Sequence, residues 1–116
     1  MGADKAEPER FYHGFVLGLM VDLADKYRIT SNRESGLGRY DIMLEPLEEN
    51  KRAYVIEFKV HKAKCEKNLE ETAQNALQQI VERNYDAELL TRGIRKEDIR
   101  HLGFAFSGKT VLIEQG

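Results

Sequence analysis

A chain of 116 residues with 41% hydrophobic and 33% charged content is one globular domain, long enough for a single core and too apolar for a disordered segment. No apolar run approaches the roughly 18 residues of a membrane span and no secretory signal is present, so a cytoplasmic protein without a membrane partner is expected. The formal charge of −2 counts against nucleic-acid binding through a generally basic surface, and the one cysteine, Cys65, excludes an internal disulfide and fits a reducing compartment.

Residues 1–8 read as a flexible leader, with Glu7-Pro8 favouring an extended entry to a domain over residues 9–116. From Glu9 to about Lys26 the spacing is helical: Phe11, Tyr12, Phe15, Val16, Leu19, Met20 and Leu23 recur every three or four residues. Leu17 and Val21 widen this stripe and predict a mostly covered helix. Gly14 and Gly18, four apart, are expected to allow close backbone packing, and His13 to be a hydrogen-bonded histidine at the edge of the core. Tyr27 to Arg33 reads as a strand, and the glycines of Ser35-Gly36-Leu37-Gly38 supply a tight reversal rather than a phosphate cradle, because no helix follows them.

Two further strands occupy Gly38 to Val60. The second contains Tyr54, Val55, Ile56, Phe58 and Val60, the pattern of a strand covered on both faces, yet Glu57 and Lys59 lie inside it. Buried charges need partners. Strand alternation puts Glu57 and Lys59 on one face, and Arg39, Asp41 and Met43 on one face of the preceding strand. A hairpin folded symmetrically about Glu49 would set Asp41 opposite Glu57 and Arg39 opposite Lys59. Directly opposed like charges destabilise a sheet, so this register describes a cation site with an ammonium about 7 Å along the strand. A register slipped by two residues would instead pair Asp41 with Lys59 as a structural ion cluster. Both remain open from the letters alone. Lys59, His61, Lys62, Lys64 and Lys67 form a local basic patch that is either a phosphate contact or a solvated face.

Past Val60 the period changes to 3.6. Leu69, Ala73, Ala76, Leu77, Ile80 and Val81 form an apolar stripe, and Asn68 with Glu71 reads as a capping pair at its start. Asp86 to Arg92 is a short helix closed by Gly93. His101 to Ser107 and Lys109 to Gln115 are two strands around a Ser-Gly turn. A helix between the third and fourth strands permits their parallel pairing. The fold class is therefore α/β, a mixed central sheet in αβββαβ order with helices on its faces.

Gly-Arg-Tyr-Asp41, then Tyr-Val-Ile-Glu57-Phe-Lys59, then a helix with Gln79 and Tyr85, resembles the PD-(D/E)XK nuclease superfamily with its restriction-endonuclease-like core. The segment Ser31 to Asp41 and the late Phe106-Ser107-Gly108-Lys109 are most similar to the nuclease-like C-terminal domain of bacterial AAA-ATPase-like proteins. The resemblance implies hydrolysis of DNA, less readily RNA, by in-line attack of a metal-activated water. It implies Mg²⁺ or Mn²⁺ bound by Asp41, Glu57 and the Phe58 carbonyl, hard oxygen donors suited to such cations. Lys59 would orient and help deprotonate the water or stabilise charge on the phosphoryl oxygens. Glu9 is either an additional metal carboxylate or a first-turn glutamate favouring the helix dipole. Gln79 and Tyr85 are implied as nucleic-acid contacts, although Tyr85 follows by six residues where the motif has four. Arg33 and Arg39 are phosphate contacts or structural partners of Glu34 and Asp41. The alternative is a catalytically silent nuclease-like module for partner binding or homodimerisation, working with an ATPase-like domain in cis or trans. No ATP site is expected in these residues: Gly103 to Thr110 carries the letters of Gly-x-x-x-x-Gly-Lys-Thr but reads as a strand and a Ser-Gly turn into another strand, not as a loop opening a helix.

Overall fold

The structure, a computed structural model, describes the backbone of residues 2–34, 39–49 and 51–116 and the side chains of 11–31, 41–49 and 51–116. Helix α1 (Gly2–Leu23) leads into strands β1 (Tyr27–Glu34), β2 (Arg39–Pro46) and β3 (Ala53–Val60). Helices α2 (Leu69–Arg83) and α3 (Asp86–Thr91) and a 3-10 turn at Lys96–Asp98 precede β4 (Ile99–Ser107) and β5 (Thr110–Gln115). The five strands lie in sequence order in one sheet. β1, β2 and β3 form the expected antiparallel meander, β3 and β4 are parallel, and β5 is antiparallel to β4.

Alternation along β2, β3 and β4 builds a different layer on each face. On one, Ile42, Leu44, Ile56, Phe58, Phe104 and Phe106 pack against Tyr12 and Val16 of α1. Rings of Tyr12, Phe15 and Phe106 meet edge to face, the arrangement favoured by the aromatic quadrupole. On the other, Met43, Ala53, Val55 and Ile99 pack against Leu77 and Ile80 of α2 and Leu89 of α3. A strand covered on both faces has no polar side to spare, which is why β3 reads as a nearly continuous apolar run.

The start of α2 follows its capping sequence. Asn68 accepts from the Glu71 backbone N–H at 2.9 Å, and the Glu71 carboxylate reaches back to the Lys67 N–H at 2.8 Å. At its other end Asn84 adopts a left-handed conformation (φ 51°), which stops the helix and turns the chain into α3. Gly93, at φ 93°, closes α3 as expected. An ion pair and a hydrogen bond then anchor α3 to the sheet. Arg92 bridges Glu45 of β2 and Glu88, at 2.9 and 2.8 Å, and His101 of β4 lies 2.8 Å from Asp86.

Three expectations need correction. Helix α1 begins at Gly2, so the segment expected as a leader continues the helix; Ala3, Lys5, Ala6 and Glu7 are all strong helix formers. Leu17 and Val21 on α1 and Val81 on α2 are exposed rather than part of the covered stripes, because the sheet covers a narrower arc of each helix than the apolar residues span. Nor do Gly14 and Gly18 mediate close packing: among the described residues nothing lies within 4 Å of where their Cβ atoms would be.

Candidate active site

The β2–β3 register is the symmetric one, with Asp41 opposite Glu57 and Arg39 opposite Lys59. Asp41 and Glu57 are 4% and 2% exposed, on the face covered by α2 and α3. Two buried carboxylates are thus direct cross-strand neighbours, with Lys59 next along the same face. On its other side Glu57 neighbours Gly103 of β4. A side chain at that position would meet α2, since its Cβ would lie 2.5 Å from the Ala73 carbonyl oxygen.

The polar face of α2 and the residues flanking the helix lie against this row in reverse order. At one end His61 Nδ1 is 2.7 Å from Thr72 Oγ1. Beside it Lys59 Nζ donates to Glu66 Oε2 at 2.7 Å, and Asn75 donates to the same oxygen at 2.9 Å. At the far end the Tyr85 hydroxyl donates to Asp41 Oδ2 at 2.7 Å and accepts from Arg83 at 3.1 Å. Gln79, half-buried, shares the stripe of Thr72 and Asn75 and lies about 6 Å of helical rise beyond Asn75, toward Tyr85.

The electrostatics are uneven along the row. Burial pushes the Glu66 carboxyl up, but hydrogen bonds from Lys59, the Lys62 backbone, Asn75 and Thr72 outweigh it and hold the group at about 2. Its folded value lies below its unfolded one, so its contribution is present above the ordinary glutamate range and lost as pH falls toward 2. Acid titration of stability should therefore be flatter between pH 5 and 2 in Glu66→Gln than in the unsubstituted protein, as read from urea midpoints. At Tyr85 burial comes first, then the hydrogen bond to Asp41; both raise the phenol, to about 12, with the charges of Asp41 and Glu57 adding and Arg83 opposing. Here the sign is reversed: the contribution is complete below the ordinary tyrosine value near 10 and disappears as pH rises through 12. Tyr85→Phe should remove a component titrating near 12 from the phenolate absorbance curve. It should also cost about 1 to 3 kcal/mol at neutral pH by taking a donor from a buried carboxylate.

A family model of the PD-(D/E)XK nuclease superfamily matches residues 7–116. The chain belongs to that superfamily. No curated protein and no solved structure gives a match. The five-stranded mixed sheet between helices agrees with the restriction-endonuclease-like core of PD-(D/E)XK proteins.

Within this PD-(D/E)XK domain the structure brings Asp41, Glu57, Lys59 and Tyr85 to one face of the sheet. Glu9 lies in α1, Arg33 in β1 and Arg39 in β2, while their side chains fall outside the described residues. The Phe58 carbonyl accepts a long bond, 3.4 Å, from the Tyr12 hydroxyl. His13 is half-buried with its ring against Tyr12, at the core edge where it was expected. Lys62, Lys64 and Lys67 are exposed, whereas His61 of the same basic patch turns inward to Thr72.

PD-(D/E)XK nucleases generally use divalent metals, and the donors present are compatible with one. Two carboxylates without a thiolate form a hard oxygen set of the kind Mg²⁺ and Mn²⁺ accept, leaving further positions to backbone oxygen and water. Among the described residues no third His, Cys, Asp or Glu completes an all-protein cage. One carboxylate oxygen, Glu57 Oε1, is buried and accepts no hydrogen bond, although the residue has other interactions.

Glu66 and Asn75 were missed in the sequence. Glu66 sits among lysines in a charged connection, where any carboxylate looks solvated. The signal available was that Lys59, inside an apolar strand and opposite an arginine, needed a counter-charge from outside the hairpin.

Proposed function

We propose that this domain hydrolyses phosphodiester bonds of DNA, with RNA as the second substrate class, using Mg²⁺ or Mn²⁺ held by Asp41 and Glu57. The supporting observation is the direct opposition of these two buried carboxylates on the sheet face that also carries Lys59. Like charges so placed oppose folding, and a divalent cation between them offsets that repulsion. When bound, the ion supplies positive charge to the phosphoryl oxygens and acidifies a water. Glu9 and the Phe58 carbonyl are further ligands in this proposal, while Arg33, Arg39 and Gln79 contact the nucleic-acid backbone.

The chain's own residues divide the remaining work. Tyr85 donates to Asp41 Oδ2 and so fixes the orientation of a carboxylate that would hold the ion. Lys59, with one N–H committed to Glu66, keeps two donors for a phosphoryl oxygen and the attacking water. Burial of this row under α2 excludes bulk water and strengthens each of these interactions.

One observation favours the second reading, a silent module serving an ATPase-like partner in cis or trans, or a homodimer, in the cytoplasm. Lys59 already has a complete ion pair with Glu66, as a purely structural cluster would. Calorimetric Mn²⁺ titration of the chain and of Asp41→Asn, with nuclease assays on duplex DNA and RNA in the presence and absence of chelator, separates the two. The nuclease predicts heat that disappears in the variant and cleavage that chelation stops. No heat in either protein and no cleavage would establish the silent module.

A further inference from the structure

Four donors converge on Glu66, which is 4% exposed in the connection between β3 and α2. Oε2 accepts from Lys59 Nζ at 2.7 Å and Asn75 Nδ2 at 2.9 Å. Oε1 accepts from the Lys62 backbone N–H and from Thr72 Oγ1, both at 2.9 Å. Each oxygen therefore has two donors, a fully satisfied buried anion. A carboxylate so held does not rotate, and neither does what it grips.

The proton count extends this fixation to His61. Thr72 has one hydroxyl proton, and its oxygen lies 2.9 Å from Glu66 Oε1 and 2.7 Å from His61 Nδ1. If that proton pointed to His61, two lone pairs would face each other at 2.9 Å, next to an ionised carboxylate. Directed instead at Glu66, it leaves Oγ1 to accept from His61. Nδ1 of His61 thus carries a proton, and in the neutral ring Nε2 is the acceptor.

On the nuclease reading above, we propose that Glu66 is the positioning residue of this site, anchoring the Lys59 ammonium and, through Thr72, fixing the His61 tautomer beside it. A lysine side chain has four rotatable bonds and loses much rotamer entropy when ordered, so an untethered Lys59 would rarely point at the substrate. Glu66 removes that freedom before substrate arrives. With one N–H held by Glu66, Lys59 directs its remaining donors to the phosphoryl oxygen and the water. Simple stabilisation explains the arrangement less well, because a buried ion pair contributes little net stability compared with an apolar substitute.

The test combines kinetics with a spectroscopic readout. In Glu66→Gln, kcat for Mn²⁺-dependent cleavage should fall about 10- to 100-fold, the range for residues supporting a metal site, while KM and calorimetric Mn²⁺ affinity stay unchanged. Added to Lys59→Met, the same change should alter kcat less than about twofold, since the group it positions is gone. Independently of activity, ¹⁵N NMR of the His61 ring should show a protonated Nδ1 at neutral pH, and Thr72→Val should redistribute the tautomers. If Glu66→Gln fails to fold by circular dichroism, Asn75→Ala, which removes one donor from the same oxygen, should lower kcat about 3- to 10-fold. A wild-type chain that cleaves nothing defeats the nuclease reading and this proposal with it. An active chain in which the Glu66 and Lys59 effects multiply, or in which His61 is protonated only at Nε2, overturns the positioning role alone.

Discussion

Gly103→Ala is expected to destabilise the domain by about 3 kcal/mol, at the upper end of overpacking costs, seen as a lower urea midpoint with an unchanged m-value. The added methyl would lie 2.5 Å from the Ala73 carbonyl oxygen, 3.1 Å from Leu77 Cγ and 3.3 Å from Ala76 Cβ. The nearest of these is helix backbone, so no rotamer change relieves it and α2 itself must move. Thr72 and Asn75 are carried by that helix and Tyr85 follows it directly, so the displacement also loosens their bonds to Glu66 and Asp41. Mn²⁺ affinity should fall along with stability. Gly14→Ala and Gly18→Ala supply the control. With open space around both positions in α1, each should instead stabilise by about 0.5 to 1 kcal/mol through helix propensity.

Gly103 also shows where sequence reading ends. Its place within a strand was legible, but the approach of a helix carbonyl from another part of the chain left no local mark. Features set by neighbours in sequence came through. The charged turn about Glu49 allowed the register that opposes Asp41 and Glu57, though a slipped one stood beside it until the structure chose between them, and the helix between β3 and β4 allowed their parallel pairing. The Asn68–Glu71 cap was visible because its partners are three residues apart. Features set by packing did not. Leu17, Val21 and Val81 have the right spacing for burial and are exposed, because period describes a face without saying how much of it the sheet covers. Tyr85 is the intermediate case. Its six-residue distance from Gln79 breaks a helical motif, but the left-handed Asn84 ends α2 before it, so helical spacing no longer governs where the phenol points. It reaches Asp41 nonetheless.

On the proposed nuclease function, Glu57→Gln and Lys59→Met should each lower cleavage about 10²- to 10³-fold, for reasons that a metal titration tells apart. Glu57→Gln keeps the volume of the side chain while replacing one of the two carboxylates proposed to hold the ion by a neutral amide. It should lose the Mn²⁺-induced rise in melting temperature, which for the unsubstituted chain reflects a stabilisation of about 2.7 kcal/mol at a hundredfold excess over Kd. Lys59→Met leaves both carboxylates in place, so its Mn²⁺-induced rise should persist. Without metal, however, it should be the less stable of the two, because Glu66 loses its cation while remaining 4% exposed. Breaking a buried pair from one side costs about 3 to 5 kcal/mol, and the partial exposure of Lys59, 17%, places this pair toward the lower figure. Retention of the Mn²⁺ effect in Glu57→Gln would remove that residue from the cation site. Loss of it in Lys59→Met would mean that the ammonium orders the carboxylates rather than the substrate. Persistent cleavage in both variants would place the chemistry elsewhere in the chain.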